Sequence, residues 1–190
     1  MKKHIIAIGC GAACAGLIFG IVLLTANRES VGQYENMMKI GKFYMDKYEF
    51  PNRVGETPVT NVSWQEAAAL CESVGKRLCT DEEWVQACRG PQGLRYPYGA
   101  IYDGAKCNSE SKTDAPLPIG QTPATCVSGY GVYDLNGNVW EWVGNSLEGG
   151  VKVRGGAWSS SSCAECALHF WDNAPMTKSN RGGLRCCLSQ

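Results

Sequence analysis

The chain has 190 residues, 44% of them hydrophobic, and its 18 basic and 18 acidic side chains leave a formal charge of zero at pH 7. That length supports one domain with its own core, and the charge balance lacks the basic excess or stripe of a nucleic-acid binder. Twenty-three glycines and six tryptophans indicate an irregular, loop-rich body, because glycine permits tight backbone paths and tryptophan supplies large buried area.

At the N-terminus, Met1-Lys-Lys-His4 precedes a run from Ile5 to Ala26 without one acidic or basic side chain. The run matches the roughly 20 residues a helix needs to cross a bilayer and exceeds a usual signal-peptide apolar region. Basic residues ahead of it favour a cytoplasmic start and an exported body, anchored to the membrane or cell surface. A cleaved signal peptide, or a lipoprotein leader using Cys10 or Cys14, would also leave the remainder exported. Most of the apolar run follows both cysteines, which weakens the lipoprotein reading. Residues 1–26 are thus read as anchor or signal segment, 27–38 as a polar linker, and 39–190 as the folded body.

Export changes the meaning of the eleven cysteines, which in an oxidising compartment form disulfides rather than metal sites. Nine lie in the body, an odd number that leaves a thiol free or paired between molecules. Cys163-Ala-Glu-Cys166 has C-x-x-C spacing, but no second pair stands at zinc-site distance.

Lys39 to Asn52 carries the aromatic and β-favouring residues of a first strand or two. Two helices follow, each announced by a capping box, Ser63-Trp-Gln-Glu66 and Thr80-Asp-Glu-Glu83. They should stop near Gly75 and near Gly90-Pro91. On the first, Trp64, Ala67, Ala68 and Cys71 share one face; on the second, Trp84, Ala87 and Cys88 do. Each helix therefore turns a tryptophan and a cysteine inward. Beyond residue 91 turn residues dominate, with no internal repeat.

The residues select no conventional reaction centre. His169 is the only histidine outside the leader, no spacing selects a carboxylate pair, and no Ser-His-Asp set can be argued. Gly149-Gly150 and Gly155-Gly156 are turn glycines, with no Lys-Ser/Thr or helix start behind them to make a phosphate cradle, so no organic cofactor is expected.

Six ordered motifs carry a resemblance. Phe43-Tyr-Met-Asp-Lys-Tyr-Glu49, Pro58-Val-Thr-Asn-Val-Ser-Trp64, Gly75-Lys-Arg-Leu78 with Thr80-Asp-Glu-Glu-Trp84, Gly131-Val-Tyr-Asp-Leu-Asn-Gly-Asn-Val-Trp-Glu-Trp142, Arg154-Gly-Gly-Ala-Trp158 and Gly183-Leu-Arg185 together look like the sulfatase-modifying-factor family, founded on the formylglycine-generating enzyme. The likeness covers about residues 39 to 190. It implies an α+β, C-type-lectin-like fold, loop-rich, with two helices packed on small antiparallel sheets. It also implies two disulfides, Cys71 with Cys186 and Cys88 with Cys166, which agree with the inward helix faces.

Asp134-Leu-Asn-Gly-Asn-Val-Trp-Glu141 resembles the family's calcium site, implying a structural calcium held by the Asp134 and Glu141 carboxylates and the Gly137 and Val139 carbonyls. A turn held by its own Asx hydrogen bonds, with Trp140 and Trp142 as core, is the alternative.

Family catalysis requires a redox-active cysteine pair just after R-G-G-x-W, and here that stretch is Ser159-Ser-Ser-Ser162. Serine is a poor soft-metal ligand and forms no disulfide, so the substitution removes the chemistry. The family's arginines after the structural cysteine are also missing from Cys166-Ala-Leu-His-Phe-Trp-Asp172.

In both respects the chain is most similar to the variable proteins of diversity-generating retroelements, which share this fold. That resemblance implies a non-enzymatic, membrane-tethered protein whose C-terminal loops bind a protein or cell-surface ligand. The implied contact residues are Trp158, Ser159, Ser160, Ser161, Ser162, Glu165, His169, Phe170, Trp171, Asp172, Asn173, Met176, Thr177 and Arg181, with His169 to Asn173 expected on a surface loop. Trp171 and Phe170 would supply rigid contact area and His169, Asp172 and Asn173 directional hydrogen bonds, unless the two aromatics are simply core. An oxidase of the sulfatase-modifying type acting on cysteine and an envelope structural protein are the competing readings.

Overall fold

The computed structural model describes residues 34–144, 151–161, 164–172 and 178–190, with residues 170–172 as backbone. The expected anchor over 1–26, and the linker as far as residue 33, lie outside these. Among the described residues no helix is long and apolar enough to cross a membrane.

Both helices start where their caps dictate. In α1, Trp64–Ser73, the Glu66 amide donates to Ser63 Oγ at 3.3 Å while the Ser63 amide donates to Glu66 Oε2 at 2.9 Å. In α2, Asp81–Arg89, Thr80 and Glu83 make the same reciprocal pair at 3.1 and 2.9 Å. Orphan donors of each first turn are thereby satisfied. Gly75 (φ +71°) and Gly90 (φ +64°) follow the two helix ends in left-handed backbone, the conformation glycine takes without a Cβ penalty. On α1 it is Ala67 and Cys71 that are fully buried, with Trp64 and Ala68 half-buried; on α2 Trp84, Ala87 and Cys88 are all buried.

Two four-stranded sheets hold the helices. The first runs β1–β2–β8–β3, from Met37–Ile40, Phe43–Asp46, Cys186–Ser189 and Arg77–Leu78, and is antiparallel throughout. Its first strand takes in the last two residues assigned to the linker. The second runs β6–β5–β4–β7, from His169–Asp172, Val151–Arg154, Trp140–Val143 and Gly182–Leu184. Here the expectation of antiparallel sheets is corrected at one pair: β4 and β7 run parallel, Glu141 opposite Gly183. A connection of about forty residues between them makes this possible, since only antiparallel neighbours can be joined by a tight turn.

Residues 90–139 contain only a 3₁₀ turn, Gly104–Lys106, and isolated bridges. Two hydrophobic clusters form the core, one around Ile40, Met45, Trp84, Leu135 and Cys187, the other around Ala67, Cys71, Trp142, Leu184 and Cys186. Among the described residues are four disulfides: Cys71–Cys186, in the second cluster, and Cys88–Cys166, in the first, the pairs the resemblance implies, and also Cys79–Cys187, in the first, and Cys107–Cys126, outside both.

Candidate functional site

The region after β5 is built on glycines and one arginine. Gly155 and Gly156 take φ of +91° and +80°, and a Cβ on Gly156 would sit 2.6 Å from that of Ala164. Arg154, 4% exposed, donates Nε to Asp81 Oδ1 at 2.6 Å and Nη1 to the carbonyls of Cys166, Ala167 and Leu168 at 3.2, 3.0 and 3.1 Å. Lys152 Nζ reaches the other Asp81 oxygen at 2.7 Å. Burial pushes the Asp81 carboxyl up, but the hydrogen bonds from Arg154 and Lys152 outweigh it and hold the group below the usual carboxylate range.

The segment that follows is fastened mostly through its main chain. The Trp158 amide donates to the Asn138 carbonyl, the Ser111 amide to the Trp158 carbonyl, and the Glu110 amide to the Ser160 carbonyl, at 2.8 to 2.9 Å. Within it the Ala157 amide donates to Ser160 Oγ at 2.9 Å. Further on, the Cys166 amide donates to the Arg95 carbonyl at 3.0 Å.

Of the expected contact residues, Ser161 and Arg181 are exposed, and Trp158, Ser159, Ser160, Glu165 and His169 half-buried. Arg181 Nη1 donates to Ser159 Oγ at 3.3 Å, and Glu165 pairs with Arg95 at 2.6 Å. The indole N–H of Trp158 is shielded from solvent and has no hydrogen-bond partner among the described residues. His169 is held below its ordinary pKa by burial and then by neighbouring Arg154 and Lys152. Ser162, Asn173, Met176 and Thr177 lie outside the described residues.

One expectation is corrected. His169 to Asp172 is not loop but β6, antiparallel on β5 with His169 opposite Arg154 and Asp172 opposite Val151. The pairing satisfies backbone groups that a mixed polar and aromatic run does not advertise by alternation.

Sequence reasoning missed the supporting partners, Asp81, Arg95, Glu110 and Ser111. Asp81 reads as a helix-start acid, and nothing local connects it with a residue seventy positions later.

No thiol in the described residues is available for catalysis, since all eight cysteines among them are in disulfides; Cys163 lies outside. A second set of polar groups is deeply buried. Glu141 accepts from Arg185 Nη2 at 2.7 Å, from Arg185 Nε at 3.1 Å on both oxygens, and from the Trp84 indole at 2.6 Å. Glu49 accepts from Asn138 Nδ2 at 2.7 Å and the Val139 amide at 3.2 Å. Burial, then the charges of Asp134 and Glu141, push Glu49 well above the usual range. Asp134 is pushed up to about 6, first by burial. Thr122 stands beside it, yet among the described residues neither its hydroxyl nor either Asp134 oxygen completes a hydrogen bond.

Against the calcium set, these contacts fit only in part. The orphaned oxygens of Asp134 suit a hard cation, whereas Glu141 is already neutralised and saturated by Arg185 and Trp84. Among the described residues no three acidic, histidine or cysteine side chains converge as ligands. Of the two carboxylates in that set, Asp134 alone has oxygens free to coordinate.

The Sulfatase-modifying factor enzyme 1-like domain model matches residues 30–190. The "Inactive C-alpha-formylglycine-generating enzyme 2" of Mus musculus is 32% identical over 156 residues, covering 70% of this chain and 50% of that protein. The chain thus spans about half the length of this curated relative. Among solved structures, the Treponema denticola variable protein 1 superposes with a TM-score of 0.64 at 16% identity, over 78% of this chain and 84% of that one. The Major Tropism Determinant P3c variant does so with 0.57 at 15%, over 81% and 52%. These two share the fold. The extent of the family match and the identity to the mouse protein place the chain in the family of sulfatase-modifying factor enzyme 1-like domains.

Proposed function

We propose that this chain is an exported, membrane-tethered recognition protein whose C-terminal segments, from Trp158 to Glu165 and from β6 to Arg181, bind a protein or cell-surface ligand. The observation that carries the reading is how the first of these segments is fastened. The frame grips the main chain within and just after it by amides and carbonyls at residues 158, 160, 166, 167 and 168, so an exposed side chain such as Ser161 is not needed to hold its course. Such a segment can change what it presents while keeping its path. The printed names of the variable protein and the tropism determinant suit this reading, and four disulfides suit an oxidising compartment.

The test contrasts side chain with frame. In the full chain, Ser161→Asp and Arg181→Glu combined should shift Tm by no more than about 5 °C, since both side chains are exposed and lie in the range of surface changes. They should also abolish retention on whichever cells of a panel the parent chain binds. Arg154→Met should lower Tm by about 10 °C, because it removes the donor of three carbonyls and one of the two cations on the half-buried Asp81. Equal Tm losses from both variants would end the recognition reading.

Family membership keeps cysteine oxidation as the second reading. Aerobic incubation with copper and a cysteine-containing sulfatase peptide should yield no formylglycine by mass spectrometry; product would reverse the order of the two readings.

A further inference from the structure

A cavity of about 360 Å³ opens between α1, β3 and the end of β4, away from every residue discussed so far as a contact residue. Trp64, Ala68, Glu72, Arg77, Leu78 and Thr80 form most of its wall. The volume lies within the range of small-ligand sites, and the chemistry of the wall is selective.

Arg77 has no donor to spare. Its Nη1 donates to Glu83 Oε2 at 2.7 Å and the Leu78 carbonyl at 3.1 Å, its Nη2 to Glu83 Oε1 at 2.7 Å and Ser189 Oγ at 3.0 Å, and its Nε to Ser189 Oγ at 3.2 Å. The guanidinium is pinned, and what it has left for a ligand is its flat face. Trp64 is in the same condition, because its indole N–H donates to the Val143 carbonyl at 3.3 Å, which leaves ring surface. Leu78 and Ala68 add apolar area. Glu83 neutralises Arg77, whereas the exposed carboxylate of Glu72 has no partner among the described residues. The wall therefore offers two planar faces, an apolar base and one uncompensated negative charge.

We propose that this cavity binds an arylalkylamine group, a planar aromatic ring carrying a protonated amine a few bonds away. The ring lies against Trp64 and Arg77, where stacking and cation–π attraction favour it. The ammonium meets Glu72. A free amine and the N-terminal tryptophan of a partner chain carry the same chemistry.

The test uses the purified full chain with tryptamine, neutral indole, indole-3-acetate and the tetrapeptide Trp-Gly-Gly-Ser as probes, read by calorimetry and by the Trp64 indole N–H signal in NMR. Tryptamine should bind saturably with a Kd of about millimolar, the affinity a ligand of its size supports. Indole should bind about two- to fivefold more weakly, the worth of one exposed ion pair, and the acid more weakly still. Ala68→Leu, which keeps the helix and fills the cavity, should abolish binding of all three. Glu72→Gln, at an exposed position, should leave indole unchanged and erase the preference for the amine. Tighter binding of the tetrapeptide than of tryptamine assigns the group to a chain end, and weaker binding to a free amine. The proposal is overturned by absence of saturable tryptamine binding, by an acid that binds as well as the amine, or by a Glu72→Gln protein that keeps the preference.

Discussion

At Arg185 the protein places a guanidinium that is 1% exposed against the equally buried Glu141, while among the described residues nearby Asp134 completes no hydrogen bond. The consequence is a pH dependence of definite sign. An unfolded Asp134 loses its proton near 3.8 and the folded one near about 6, so between these values the folded state holds more protons. Stability from this group is fully present below the lower value and lost as pH rises through the upper, a difference on the order of 3 kcal/mol. Asp134→Asn should therefore flatten Tm between pH 4 and pH 8 and raise it at pH 7.5. A variant less stable than the parent at pH 7.5 would mean that the carboxylate holds a cation or donor. Gly137 makes a second prediction. Its φ is +85°, and a Cβ there would lie 2.2 Å from the Asn108 carbonyl oxygen, so Gly137→Ala should cost about 3 kcal/mol in denaturant unfolding. Little of this was legible in the sequence. Asp134 read as a calcium ligand implied by the resemblance and Glu49 as an ordinary carboxylate, and only the fold puts both out of reach of water.

Among the elements, the helices were the most legible part, because Ser63, Glu66, Thr80 and Glu83 announce their caps within four residues of chain. The strands were the least, being two to four residues long, too short for alternation to register. β6 was read as a loop for that reason, and Cys79, Cys107, Cys126 and Cys187 could not be paired since connectivity is a property of space. The disulfides have a testable redundancy. Cys71–Cys186 and Cys79–Cys187 span 115 and 108 residues, but with either closed the other encloses only the stretch from 71 to 79 and one bond of β8. In the chain-entropy model, replacing one pair by alanines should cost about 3 kcal/mol, while the second replacement, which opens a path of roughly thirty residues through the still-closed Cys88–Cys166, should cost about 4. Chemical denaturation of the two double variants and the quadruple variant measures this, and simple additivity would refute it.

On the scale of the whole molecule, the described fold is a frame of two helices, two small sheets and four disulfides, from which long irregular segments are hung by their backbone. The resemblance conveyed that architecture and the two implied disulfides. It did not convey which residues grip the C-terminal segment, because Asp81, Arg95 and Glu110 meet it from positions roughly fifty to seventy residues upstream. A frame of this kind permits substitution in the hung segments without repacking the core, which is why the loop variants and Arg154→Met are expected to separate so clearly.

Cys186 and Cys187 are neighbours in β8, yet one is bonded to Cys71 and packs with Trp142 and Leu184, while the other is bonded to Cys79 and packs with Met45 and Trp84. A strand turns successive side chains to opposite faces, so a slip of one residue would exchange the two faces and carry each sulfur away from its partner. Both disulfides can therefore close together only in the native alignment, since a one-residue slip sets at most one of the two thiols against a cysteine, and that one against the other's partner.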